Sequence, residues 1–317
     1  MARHVIQRTE LADAIIDLGS IVVDLADYMT TGLRAVCVGP SGIGKTNVSL
    51  VLAEQLSEQG WVSVLIDPEG EIASLYGPAV KTPDELAERL RLRDVPIVVV
   101  SATSPTQFLP YGEVLLQAAD EHRKPLFVVL DEGQLFSAPR SRQGDIGAAA
   151  DLVNDMAQRG RKRALDMCVT ALRFSNSLHR AVFSGTNLLL VGSQQDPAAW
   201  PALAPKFRGT GLDFNDLTAL APGEFFVFGR RGVDKTRAPM SEALSKVAVA
   251  APPVRPALPS TYSQWDRAMR AIPHRRLECL DDEVVTLLST IAGLKAPEMT
   301  AGRAALADEL ASRPAVG

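Results

Sequence analysis

The sequence has few cysteines, no surplus of positive charge and no long apolar run. Its three cysteines among 317 residues, Cys37, Cys168 and Cys279, are isolated and odd in number. Without C-x-x-C spacing they exclude a disulfide framework and a cysteine zinc site, so reduced core thiols are expected. His4, His122, His179 and His274 have no ligand-like spacing either. No apolar run approaches the roughly 20 residues a membrane-spanning helix needs, and the first residues lack the basic, apolar, small-residue order of a secretory signal. The expectation is a cytoplasmic chain with no membrane partner. A formal net charge of −4 gives no global attraction to nucleic acid, so any such surface has to be a local patch. With 46% hydrophobic and 22% charged residues, the composition is that of a globular protein with ample core.

What is present begins with "VCVGPSGIGKTNVSLVLAEQL", Val36 to Leu56, whose centre has the spacing G-x-x-x-x-G-K-T. A phosphate-binding loop needs a strand before it and a helix after it. "LRAVCV", Leu33 to Val38, reads as a strand buried on both faces. Val48, Val51, Leu52 and Leu56 then recur at helical spacing until Gly60. Gly39 and Gly44 let backbone N–H groups turn toward phosphate oxygens, and the helix start adds positive potential. Gly39, Pro40, Ser41, Gly42, Ile43, Gly44, Lys45, Thr46 and Asn47 are the candidate ATP-binding residues. Lys45 is expected on the outer phosphates and Thr46 on Mg²⁺.

"KPLFVVLDEGQLF", Lys124 to Phe136, is a second apolar strand and ends in two carboxylates. Ligands of parallel α/β sheets bind at the carboxyl ends of strands. Asp131 is therefore the second candidate for Mg²⁺, and Glu132 the candidate general base that polarises the attacking water. A helix cap after a buried strand is the plainer alternative for this pair. Asp67, Glu69 and Glu71 in "DPEGEI" read as solvated acids in a strand-end turn, not as a metal cluster.

Further strand-like runs lie at 62–67, 96–102, 126–131, 166–172 and 187–193, alternating with helical patterns. Thr82, Pro83 and Glu85 mark one helix start, as cap, first helical position and cap partner. The fold class predicted is α/β with a mostly parallel sheet, plus a small helical C-terminal appendage; the extra strand between the phosphate loop and Asp131, with the carboxylate after Asp131, resembles a RecA-like P-loop ATPase core. The expected divisions are a lead-in at 1–30, the ATPase domain at 31–246, a proline-rich linker at 247–260 and the appendage at 261–317. A docking appendage, a helical bundle and a helix-turn-helix all fit that last stretch.

The order of "VLIDPEGEI" (64–72), "VVLDEGQLF" (128–136) and "RGRKRALDMCVTALRFSNSLH" (159–179) resembles the HerA/FtsK family of hexameric DNA-pumping ATPases, nearer the HerA side, over about residues 15 to 240. The resemblance implies ATP hydrolysis with Mg²⁺, a homo-oligomeric, hexameric ring, double-stranded DNA as partner, and a nuclease or other processing protein served by the motor. It also implies an arginine acting on a neighbour's nucleotide, with Arg161 first and Arg159 and Arg173 behind it. Family members usually carry a glutamine between the threonine and the arginine that end this motif. Here Ala171 and Leu172 stand between Thr170 and Arg173. Leucine cannot hydrogen-bond a phosphate, which leaves Thr170 and Gln194 as candidates for the polar sensor.

Arg159, Arg161, Lys162 and Arg163 form a basic stretch in an acidic chain. Cations complementing a helix C-terminus are one reading; an arginine in trans with Lys162 and Arg163 on DNA phosphates is the other. An ATPase switch acting on a protein partner without DNA is the alternative function.

Overall fold

The computed structural model describes residues 14–122, 124–137, 143–174 and 177–250, with Val285, Thr286, Ala304, Ala307 and Asp308 beyond them. The chain divides into two units, 1–250 and 251–317. In the second unit those few described residues are helical; residues 251–260 of the expected linker and most of the expected appendage lie outside the described residues, while 247–250, expected as extended linker, are the end of the helix Glu242–Ala250.

The first unit is built on an eight-stranded sheet ordered β10-β9-β8-β3-β7-β6-β4-β5. Its parallel part comprises β3 (Arg34–Val38), β4 (Val62–Asp67), β5 (Ile97–Ser101), β6 (Leu126–Leu130), β7 (Leu165–Ala171) and β8 (Leu188–Val191). Each matches a run expected from the sequence to within a residue or two at its ends. These strands read as unbroken apolar runs because both faces are covered. Along β3, Val36 and Val38 enter one core while Ala35 and Cys37 enter the other. In β6, Val128 and Leu130 face the first core and Phe127 and Val129 the second.

The first core is closed by α3 (Pro83–Leu92), α4 (Pro105–His122), α5 (Asp145–Arg159), α6 (Arg180–Gly185), α7 (Trp200–Phe207) and α8 (Phe214–Thr218), through residues such as Leu86, Phe108, Val153 and Leu203. The second core lies under α1 (Lys45–Glu58), with Val48, Leu52 and Leu56 facing the sheet. Helix α1 stops where expected. Gly60 takes φ 98°, its N–H reaches Ser57 O and the Trp61 N–H reaches Leu56 O, which is the Schellman pattern. Thr82 caps α3 by accepting from the Glu85 N–H at 3.2 Å. The Glu85 carboxylate reaches back to the Lys81 N–H, one residue earlier than in a full capping box.

Several strands had no counterpart among the expected runs. β9 (Glu224–Gly229) pairs antiparallel with β8, and β10 (Gly232–Arg237) extends the edge. The short hairpin of β1 (Ile15–Asp17) and β2 (Val22–Asp24) caps the second core with Ile16, Leu18 and Val23. It is fastened to α1, where the Gln55 amide bonds Asp17 N and O, and to β10, where Thr236 Oγ1 reaches Leu18 O at 2.6 Å.

Candidate active site

The carboxyl ends of β3, β6 and β7 converge, and the residues following them form one cleft of about 670 Å³. The loop after β3 turns into α1 at Gly44, whose φ of 99° suits glycine and no L side chain. Ser41, Gly42, Gly44, Lys45, Thr46 and Asn47 line the cleft. Gly39, Pro40 and Ile43 form the loop's base. Ile43 is buried and its carbonyl accepts from the Gly223 N–H at 2.9 Å, which fastens the loop to the approach to β9.

Lys45 is 5% exposed; its Nζ donates to Pro40 O at 3.2 Å and lies 3.9 Å from Glu132 Oε1. Thr46 Oγ1 is 3.1 and 3.4 Å from the two Asp131 oxygens. Thr170, from the neighbouring strand, donates its hydroxyl hydrogen to Asp131 Oδ1 at 2.6 Å and accepts the Glu132 N–H at 2.9 Å. One hydroxyl thus braces both acids from behind. Thr170 is fully buried and does not line the cleft.

Burial is the chief force on Asp131, and it pushes the carboxyl above its usual range. The hydroxyls of Thr170 and Thr46 oppose the shift, Glu132 adds to it and Lys45 subtracts from it. A buried carboxylate with an adjacent hydroxyl is a hard oxygen pair of the kind Mg²⁺ takes when phosphates and water complete its shell. The described residues contain no cluster of three acidic, histidine or cysteine ligands that would hold a metal by protein groups alone. Behind this wall, burial pushes the Cys37 thiol up to about 12 and raises that of Cys168 as well.

Glu132 adopts φ 46°, an uncommon conformation for a residue with a side chain. Gly133 then passes so close to β7 that a Cβ would stand 2.2 Å from Val169 Cγ1. Gln134 follows and its Nε2 hydrogen-bonds Glu132 Oε2.

No protein-family model matches the chain, and no curated protein matches it. Solved structures do. The genome packaging NTPase B204 from Sulfolobus turreted icosahedral virus 2, in complex with AMPPCP, aligns at TM-score 0.53 and 15% identity over 67% of this chain and 100% of that one. A bacterial conjugative coupling protein, TrwBdeltaN70, aligns at TM-score 0.52 and 10% identity over 71% of this chain and 88% of that one. The fold is that of a RecA-like P-loop ATPase. At such identities the likeness carries the architecture, and the RecA-like arrangement accounts for the phosphate loop, the acidic strand end and the bracing threonine meeting at one sheet edge.

Other expected residues stand elsewhere on the RecA-like core. Arg161 lies in the 3₁₀ turn Gly160–Arg163, at the amino end of β7 and so at the far edge of the sheet from the cleft. Seven residues of strand at about 3.3 Å each separate the two edges. The side chains of Arg159 and Arg161 lie outside the described residues. Lys162 is exposed, and Arg163 is paired with Asp120 of α4. Arg173 is exposed just beyond β7. Gln194 is buried, with its Nε2 lacking a hydrogen-bond partner among the described residues.

Two contributors, Gln134 and Glu54, went unforeseen, and Asn47, expected on the nucleotide, has a further role. Gln134 sits in the cleft two residues after Glu132, and a polar residue following an acid-glycine turn was the signal available. Asn47 holds Pro239 O and the Ser241 N–H, both at 2.8 Å. Glu54, about two turns further along the same face of α1, accepts from the N–H groups of Glu242 and Ala243 at the start of α9 (Glu242–Ala250). This brings Leu244 to the cleft; no local pattern could announce a contact across nearly 200 residues. Asp67 lines the cleft and its carboxylate accepts from Gly70, Ile72 and Ala73, the turn role expected of it, but it is buried where a solvated acid was expected, because those three N–H groups take the place of water.

Proposed function

We propose that this chain is an ATP-hydrolysing motor subunit of the HerA/FtsK type, working in a ring of six copies on double-stranded DNA. One observation carries the reading. The cleft unites a phosphate loop, an adjacent Thr46–Asp131 oxygen pair and the Glu132 carboxylate held by Gln134, while Lys45 is the single cation lining it among the described residues.

In the proposed reaction Gly42, Gly44 and the start of α1 direct N–H groups at the phosphates, and Lys45 leaves Pro40 O for the outer phosphate oxygens. Thr46 and Asp131 would hold Mg²⁺, which when bound supplies charge neutralisation on the phosphate oxygens. Glu132 accepts a proton from water as the water oxygen bonds to the γ-phosphorus. The bond from that phosphorus to the bridging oxygen breaks, its electrons stay with ADP, and phosphate leaves. Thr170 keeps both acids in register.

The acids Asp67, Glu69, Glu71, Asp131 and Glu132 crowd the cleft, and phosphoryl transfer adds further negative charge. An arginine from a neighbouring subunit balances it in this reading. Arg161 suits that role because its own cleft lies at the other edge of the sheet. A head-to-tail ring makes each subunit donor and acceptor at once. Lys162 is the cation left for DNA phosphate, since Arg163 is engaged with Asp120. Among the described residues no helix is long and apolar enough to cross a membrane, and a cytoplasmic site of action with a nuclease or other processing partner completes the proposal.

B204 is by name a genome packaging NTPase and TrwBdeltaN70 a conjugative coupling protein, which supports a DNA motor over a switch. The test is ATP turnover with and without duplex DNA across a salt series. DNA-stimulated, salt-sensitive turnover by a ring is expected. Turnover indifferent to DNA, from a monomer, would move the assignment to an ATPase switch acting on a protein partner.

A further inference from the structure

Glu132 is held from two sides, and the second side has an unused atom. Its backbone N–H is fixed by Thr170, and its neighbour Gly133 admits no side chain. The turn that follows is closed by Leu135 N to Glu132 O at 2.9 Å and Ser137 N to Gly133 O at 2.9 Å. Gln134 is therefore placed by the backbone, not by its own flexibility. Its Nε2 donates to Glu132 Oε2, while its Oε1 is buried at the cleft without a hydrogen-bond partner among the described residues. Buried carbonyl oxygens nearly always have a donor; this one lacks a partner among the described residues and is closed to solvent as it stands, so a small turn of the Gln134 side chain would open it to a donor entering the cleft.

We propose that Gln134 is a positioning residue for the hydrolytic water, acting together with Glu132; the proposal rests on the reading of Glu132 as the base. A water that donates one O–H to a lone carboxylate can still pivot about that bond. A water that donates its second O–H to Gln134 Oε1 cannot, and its lone pair is then aimed. The Gln134 amide hydrogens stay where they are: one binds Glu132 Oε2 and keeps the carboxylate turned toward the same water. During the step the water oxygen bonds to the γ-phosphorus, the bond to the bridging oxygen of ADP breaks, and the proton passes to Glu132. Gln134 gains and loses nothing. Its contribution is orientation, which matters to rate and not to the affinity for ATP.

The experiment uses the full chain and the variants Gln134→Leu, Glu132→Gln and the double variant, with single-turnover hydrolysis of labelled ATP, binding of AMPPCP and thermal midpoint. Gln134→Leu is expected to lower the hydrolysis rate about 10- to 100-fold, with AMPPCP affinity within about twofold and the midpoint unchanged. In the Glu132→Gln background the same change should cost less than about twofold, because residues that act as a unit are not additive. A structural role would cost equally in both backgrounds and would move the midpoint, and that result overturns the proposal. An unchanged rate in Gln134→Leu while Glu132→Gln is inactive overturns the positioning role alone. A raised rate overturns it too, and marks Gln134 as a brake. Normal turnover by Glu132→Gln removes the base, and this proposal with it. If the leucine variant does not fold, Gln134→Met takes the same measurements with the same outcomes.

Discussion

The inner wall of the cleft and its outer rim are built on opposite plans. On the inner wall Thr46, Asp131 and Thr170 are hydrogen-bonded to one another within the chain, and Lys45 is buried beside them. On the rim Leu135 and Leu172 are each 37% exposed, Leu244 lies nearby, and no cation joins them among the described residues. An inner wall so closed can hold phosphates without help. Apolar side chains left in water beside a crowd of acids describe a surface that something else completes. In the proposed function the completing piece is the next subunit.

The sharpest break of this contrast is on the inner wall. Lys45→Ala is expected to abolish tight ATP binding. Glu132→Gln should keep binding and lose about 10²- to 10⁴-fold in turnover. Calorimetric titration with AMPPCP beside a phosphate-release assay separates the two, and normal turnover in Glu132→Gln would end the assignment of the base.

The rim is broken by mixing subunits. If Arg161 is the donor in the proposed ring, an Arg161→Ala subunit keeps its own cleft but fails its neighbour, whereas Lys45→Ala does the reverse. Mixed rings should therefore hydrolyse ATP faster than either variant alone, by several-fold. Confirmed subunit exchange without any gain would refute Arg161 as the donor; a gain with Arg159→Ala or Arg173→Ala in its place would transfer the role.

A smaller effect tests the cost of closing the wall. Burial holds the Asp131 carboxyl above its usual range, so the folded protein binds that proton more tightly than the unfolded chain. Its contribution to stability is complete below the ordinary carboxylate range and is lost as pH rises through the raised value. At pH 8 without nucleotide, Asp131→Asn should accordingly melt higher, by about 2–4 °C for each kcal/mol recovered, while hydrolysis disappears. The gain should shrink as pH falls toward 4. A lower melting point at pH 8 would show that the hydroxyls of Thr46 and Thr170 outweigh burial.

The least effect concerns the thiols behind the wall. With Cys37 pushed up to about 12, it should label at pH 8 on the order of 10³-fold more slowly than in the unfolded chain, and Cys168, raised as well, should also label more slowly. Mapping by mass would check it, and prompt labelling of Cys37 in the folded protein would mean that water reaches the back of the wall.

The same contrast explains what was legible in the sequence. The inner wall is made by short segments whose chemistry and spacing are local: strand, G-x-x-x-x-G-K-T, helix; strand, Asp-Glu. The parallel strands follow because burial on both faces makes each an apolar run. β9, "EFFVFG", has that signature too and follows α7 and α8, so it was legible although no run was expected there; its antiparallel pairing was not. β10, "GVDKTR", is an edge strand with mostly exposed residues, so little of it is apolar. The β1 and β2 strands are three residues each and exist by virtue of Gln55 and Thr236, far away in sequence. Thr170 is a sensor candidate in the sequence because Ala171 and Leu172 stand where the resembled family usually has a glutamine; its hydroxyl faces the acids because the register of β6 and β7 puts it there, which spacing alone does not reveal. The rim was least legible, since Leu135, Leu172 and Leu244 come together only in three dimensions.

The clamp of Asn47 and Glu54 on residues 239–243 has one more consequence. Helix α1 begins with the residues proposed to grip the phosphates, and the same helix holds the segment through which the chain runs on toward residue 251. The amide hydrogens of Ser241, Glu242 and Ala243 all end on α1 side chains. They work as a clock: each can trade its hydrogen for deuterium only when the clamp opens. If a nucleotide steadies α1, those three amides should exchange more slowly in its presence, reporting the state of the cleft from the back of the helix.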